Sequence, residues 1–179
     1  MSKLSKFSND EAKLIVSVPY RVGMWISTCD DNTKSKFDDK RERQALEATI
    51  KRMAGLHRKM PFAAEIMRQI EQNKSSLQIW NTHVTEEKVL EEVTQAVTIC
   101  KEKLGPAETK QYKQALWQTG LVVAQAFGEQ IDPDNEMHVD RFFAWIGSFF
   151  STPKLAKSPE NMSAKEKTAL KKLRAVLKQ

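Results

Sequence analysis

Leu116-Trp117-Gln118-Thr119-Gly120-Leu121-Val122-Val123-Ala124-Gln125-Ala126-Phe127, followed beyond a short acidic link by Asn135-Glu-Met-His-Val-Asp-Arg-Phe-Phe-Ala-Trp-Ile-Gly-Ser-Phe-Phe150, decides the fold. In the first arm Leu116, Gly120, Val123 and Phe127 recur at helical spacing, and Trp117, Leu121 and Ala124 fill the neighbouring stripe, which leaves only a narrow polar edge. This pattern predicts a buried helix. The second arm sets Val139, Phe142, Phe143, Ile146, Phe149 and Phe150 on one broad face, and the Gly- and Pro-containing link makes the two arms antiparallel neighbours. The product is an apolar helical hairpin with an acidic tip.

Working outward, Ser8 with Glu11 has the spacing of a capping box and starts a helix near Asn9. Pro19 is expected to interrupt it, with Tyr20 to Thr28 as a second segment at an angle whose core face is Val22, Trp25, Ile26 and Cys29. Asp30 to Asp39 reads as a surface loop. Asp39 with Glu42 opens the next helix, whose inner stripe is Leu46, Ile50, Met53 and Ala54. Pro61 starts a shorter helix carrying Phe62, Ile66, Met67 and Ile70 and stopping before Asn73; Lys74 to Thr82 is a loop pinned by Trp80. Thr85 caps an amphipathic helix with Val89, Val93, Ala96, Val97, Cys100 and Leu104 inside; Gly105 ends it and Pro106 opens the helix that runs into the central hairpin.

Only 6 Gly and 6 Pro in 179 residues leave few tight turns, and 40% hydrophobic with 29% charged residues suits a soluble chain of one domain with a substantial core. The expected architecture is an all-α bundle of seven or eight helices over residues 1–151, built on two pseudo-repeated antiparallel hairpins. A linker follows at 152–162 and then a mobile basic helix at 163–179, capped by Ser163 and Glu166. No apolar run reaches the length of a bilayer and the first ten residues lack a secretory apolar core, so the expected location is cytoplasmic. Cys29 and Cys100 are expected to stay reduced and packed.

Val22 to Ala54 repeats the plan of Gly120 to Phe150: apolar helix, acidic loop, apolar helix. Gly120-Leu-Val-Val-Ala-Gln-Ala-Phe-Gly-Glu-Gln-Ile-Asp-Pro-Asp-Asn-Glu136, with the first-half Val22-Gly-Met-Trp-Ile-Ser-Thr-Cys-Asp-Asp31, resembles the helical TerB-like family, named for tellurite-resistance proteins. The resemblance covers the two hairpins. It implies an all-helical bundle linked to stress or envelope processes, with no established enzymatic reaction.

The hairpin tip admits two readings. Glu129, Asp132, Asp134 and His138 could converge on a divalent cation, since helical spacing brings Asp134 and His138 onto one face. Carboxylates in a first helical turn equally satisfy free amides and oppose the helix dipole without an ion, and this second reading takes precedence. No cofactor is expected apart from that metal. His57, His83 and His138 have no motif partners, and the chain has no phosphate-cradling Gly-rich loop, His-Glu-x-x-His, CxxC or nucleophile elbow, so no catalytic residue is assigned.

The net charge of +6 has one address. Thr152 to Gln179 holds eight basic and two acidic side chains, which accounts for the whole excess and leaves the rest of the chain neutral. In the last helix Leu170, Leu173 and Leu177 make one stripe. Lys167, Lys171, Arg174 and Lys178 make another beside it, with Lys172 next to them. Either the leucines dock on the body and the lysines stay solvated, or these five cations contact nucleic-acid phosphates or anionic membrane, or the leucines await a partner's groove. The tail holds no aromatic residue to stack on bases. The expected role is a non-catalytic helical interaction module acting on a protein partner, with nonspecific binding of nucleic acid or anionic membrane through the tail as the alternative.

Overall fold

The structure is a computed structural model and describes residues 2–29, 36–126 and 162–179. Among them are seven α-helices and no strand: α1 Asn9–Thr28, α2 Lys36–Ala54, α3 Pro61–Gln72, α4 Leu77–Trp80, α5 Glu86–Lys103, α6 Pro106–Ala126 and α7 Ala164–Lys178, with single 3₁₀ turns at Leu4–Lys6 and Lys74–Ser76. The all-α helical bundle is as expected. The return arm of the central hairpin, 135–150, and most of the linker lie outside the described residues.

The helix starts follow local chemistry. Both halves of the capping box form at Ser8 and Glu11 (Ser8 N to Glu11 Oε2 2.7 Å, Glu11 N to Ser8 Oγ 3.3 Å), Pro61 sits in the first turn of α3, and Thr85 accepts from the Lys88 amide. Three expectations need correction. Lys74 to Thr82 contains a 3₁₀ turn and the one-turn helix α4 in place of a loop. Helix α2 begins at Lys36, a turn ahead of the Asp39–Glu42 pair, so that spacing lies inside the helix and does not mark its start. Third, α1 runs through Pro19 as one helix.

Pro19 brings no amide to the Ile15 carbonyl, and its ring crowds that oxygen, so an unaided helix would break there. Tyr112, fully buried on α6, donates its hydroxyl to the Ile15 carbonyl at 3.0 Å. A side chain from another helix thus replaces the missing backbone donor, and the helix continues.

Helix α6 is the hub, packing against α1, α2, α3, α5 and α7. Leu116, Val123 and Ala124 are fully buried, and the narrow polar edge is buried as well: Gln118, Thr119 and Gln125 are 6%, 0% and 4% exposed. Gln111, one turn-pair before Gln118, accepts from the Phe62 amide at 3.1 Å. In the first hairpin α1 closes on α2 at Gly23, where a Cβ would stand 2.4 Å from Leu46 Cδ1. Phe7 stacks on Phe62, and Phe62 meets Tyr112 at a tilt of 50°, which ties the N-terminal turn to α3 and α6.

Candidate functional site: a basic ridge on the last helix

Helix α7 starts on its own signal. Ser163 N donates to Glu166 Oε2 at 2.8 Å and Glu166 N to Ser163 Oγ at 3.1 Å, the reciprocal pair the sequence announces. It is not the mobile helix of the expected architecture; of the alternatives set out for it, the leucines dock on the body. Leu170, Leu173 and Leu177 are 4%, 0% and 9% exposed, and they seat α7 against α5, α6 and α1. Burying three leucines offers about 1.5–3 kcal/mol each, which outweighs the freedom lost by holding a short helix in place. The seat depends on Gly120: a Cβ there would meet Leu173 Cδ2 at 3.0 Å and Leu170 Cδ2 at 3.5 Å.

Docking turns a charged stripe into a fixed surface. With Leu170 and Leu173 over Gly120 and Arg174 over Trp117, α7 and α6 run antiparallel. Lys167, Lys171, Arg174 and Lys178, at intervals of four, three and four residues, form the flank of α7 on the α6 side. Lys171, Arg174 and Lys178 are exposed and Lys167 is half-buried. Lys172 lies on the opposite flank, where it pairs with Glu86 of α5, so its charge is spent within the fold. Lys167, Lys171 and Lys178 form no ion pair among the described residues.

The body extends the ridge. Arg174 stands over the half-buried ring of Trp117, 5.9 Å from its centroid, within reach of a cation–π attraction. On the same side of α6 as Trp117, Lys110 and Lys113 come seven and four residues earlier. Burial and the neighbouring charge of Lys101 hold the Lys113 ammonium below its ordinary pKa. Lys101 in turn donates to the Gln179 carbonyl at 2.7 Å. Like charges gathered in this way repel one another, and an arriving anion relieves that repulsion.

Sequence periodicity assigned Trp117 to the buried face, so its place at the ridge was missed; the signal was Lys110 and Lys113 recurring on its side of α6. The expected metal ligands Glu129, Asp132, Asp134 and His138 lie outside the described residues. Among the described residues no three His, Cys, Asp or Glu side chains gather as a metal site. His57 and His83 are exposed and separate. Cys29 and Cys100 form no disulfide with each other. No helix among the described residues is long and apolar enough to cross a membrane.

Comparison of the chain with known protein families, with curated proteins and with solved structures finds no match in any of the three.

Proposed function

We propose that the protein is a non-catalytic, cytoplasmic binding module whose working surface is the ridge Lys167, Lys171, Arg174 and Lys178, and that it holds the phosphates of a polyanion without regard to sequence. The observation that supports this reading is the seating of α7: the leucines fix the helix, and Lys167, Lys171 and Lys178 on one flank form no ion pair among the described residues. The same seating argues against insertion into a bilayer, because the apolar face such a helix would bury in lipid is already used against the body. The test is retention on immobilised heparin and on DNA at low and high salt. Four phosphate contacts give an expected slope of log affinity against log salt of roughly −3 to −4 on duplex DNA. The triple change Lys171→Glu, Arg174→Glu, Lys178→Glu is expected to abolish retention while Lys172→Gln leaves most of it; equal retention of wild type and triple variant would overturn the proposal.

A second reading, contact with a protein partner in the manner expected of a TerB-like helical protein, draws on one observation. Ile79 on α4 is 72% exposed, on a segment that the buried Arg21 holds through the Trp80, Thr82 and His83 carbonyls. A rigidly held apolar knob is what a partner's pocket takes. Ile79→Glu is expected to leave stability within about 0.5 kcal/mol and to remove in-cell crosslinks formed from this segment; unchanged crosslinks would sink this reading.

A further inference from the structure

The ridge has a feature that phosphate binding alone does not use. Trp117 is half-buried in the seam between α6 and α7, with the Arg174 guanidinium over its ring and lysines on both sides along the seam. The cations from Lys167 to Lys178 span eleven residues, about 16 Å of helix, long enough for a short run of phosphates. Resting on the polyanion reading above, we infer that the ligand is single-stranded nucleic acid, with one unstacked base seated against the Trp117–Arg174 pair while Lys167, Lys171 and Lys178 hold the flanking phosphates.

The chemistry of the seam favours a single strand over the other polyanions. A duplex keeps its bases stacked inside, so a ring lodged between two helices finds nothing to stack on and only the lysines contribute. A single strand exposes a π-face at every nucleotide, and both an indole ring and a guanidinium plane accept it. The arrangement also gives a reason for arginine, and not a sixth lysine, at this position of α7: a guanidinium within cation–π reach of the ring can in addition take a base against its plane, whereas an ammonium would offer only charge. No side chain on the ridge reads base edges in a fixed pattern, so little sequence preference is expected.

The experiment is fluorescence anisotropy with labelled probes of equal length: an unstructured pyrimidine 12-mer, an abasic strand with the same number of phosphates, and the 12-mer duplex, which carries twice as many. Vesicles of neutral lipid doped with phosphatidylserine, followed by co-sedimentation, form a fourth arm. The pyrimidine strand is expected to bind about 10-fold tighter than the abasic strand, within the range that stacking one base provides. Trp117→Leu, which keeps an apolar side chain in the seam, is expected to reduce the strand to the abasic level without altering the abasic affinity. Arg174→Lys keeps the charge and is expected to lose most of the same preference while preserving the salt dependence. Thermal melts of both variants establish that they are folded, and Arg174→Lys, altered only at the exposed end of its side chain, supplies the test should Trp117→Leu unfold. Equal binding of pyrimidine and abasic strands, or a duplex or vesicle preferred to the single strand, would overturn the inference and leave the polyanion reading standing. Failure of every arm to bind would overturn both.

Discussion

Tyr112 of α6 donates its hydroxyl to the carbonyl of Ile15 on α1 at 3.0 Å, and that carbonyl is the one Pro19 leaves without an amide four residues on. The two helices are thereby joined at the point where α1 would otherwise break. Tyr112→Phe leaves a buried carbonyl unpaired and is expected to cost about 1–3 kcal/mol in urea unfolding. In a Pro19→Ala background residue 19 regains its amide and donates to Ile15, so the cost of Tyr112→Phe should shrink by about 1 kcal/mol or more. Additive costs in the double variant would show that the hydroxyl does not substitute for the missing amide.

Two glycines set how closely the helices approach. A methyl group on Gly23 would lie 2.4 Å from Leu46 Cδ1, and Leu46 is 1% exposed with little room to retreat. Gly23→Ala is expected to destabilise the bundle by about 1–3 kcal/mol despite the better helix propensity of alanine. At Gly120 the approach to Leu173 is 3.0 Å, a milder conflict that falls on the α7 seat. Gly120→Ala should therefore have the smaller effect on global stability, and hydrogen exchange should show it concentrated in α7. Uniformly faster exchange across all helices would contradict that localisation.

How much of this could be read from the chain depends on how local each cause is. The caps at Ser8, Thr85 and Ser163 and the helix-opening Pro61 and Pro106 act within one turn, so their helices were legible residue by residue. Pro19 was misread because its remedy comes from Tyr112, whose hydroxyl meets an acceptor 97 residues away in sequence. Asp39 and Glu42 show that capping spacing alone does not locate a helix start, since it also arises inside a helix. For the site, the cationic stripe was plain from spacing along α7. Its aromatic member was not, because Trp117 sits on the apolar side of α6 and becomes part of a polar surface only when α7 lies beside it. Arg21 was passed over in an apolar run for the same reason: its partners belong to α5 and the segment before it.

Acid should weaken a specific tie between the ends of α1 and α5. A hydrogen bond from Lys103 at 2.5 Å, then the Ser8 amide of the capping box, holds the Glu11 carboxyl below its ordinary pKa. A carboxyl lowered in the folded state contributes its stability above the unfolded pKa and loses it as pH falls through the folded value. Glu108 behaves alike, lowered chiefly by Lys3. Titration of the Glu11 carboxyl by NMR should thus give a value below 4.5 in the native protein and a higher one in Lys103→Met. An identical titration in the two proteins would remove Lys103 as the cause.

The two thiols should differ in reactivity. Burial pushes the Cys100 thiol up to about 12, so almost none is thiolate at neutral pH, and its side chain is inaccessible. Cys29, at the end of α1, is half-buried. An alkylating reagent at neutral pH is expected to modify Cys29 in the native protein and to reach Cys100 only after denaturant is added. Comparable labelling of both in the native state would mean that α5 opens locally far more often than its burial allows.

The buried Arg21 is the most consequential single charge in the described core. Its Nε lies 2.6 Å from Glu92 Oε2, with the two side chains 7% and 17% exposed, while its Nη atoms serve the carbonyls of Trp80, Thr82 and His83. His83 has φ of 53°, a left-handed conformation uncommon for a residue with a side chain, and its carbonyl accepts from the arginine. Removing the arginine would leave a carboxylate and three carbonyls without that donor, so Arg21→Ala is expected to cost about 3–5 kcal/mol. Lysine keeps the charge but lacks the fork that reaches several acceptors at once, so Arg21→Lys should recover only part of that loss. Limited proteolysis reads the local consequence: cleavage between Trp80 and Val84 should appear in both variants under conditions where the native chain stays intact. Resistance of this segment in Arg21→Ala would show that the packing of Trp80 against Tyr20, at 6.2 Å between ring centres, is enough to hold it.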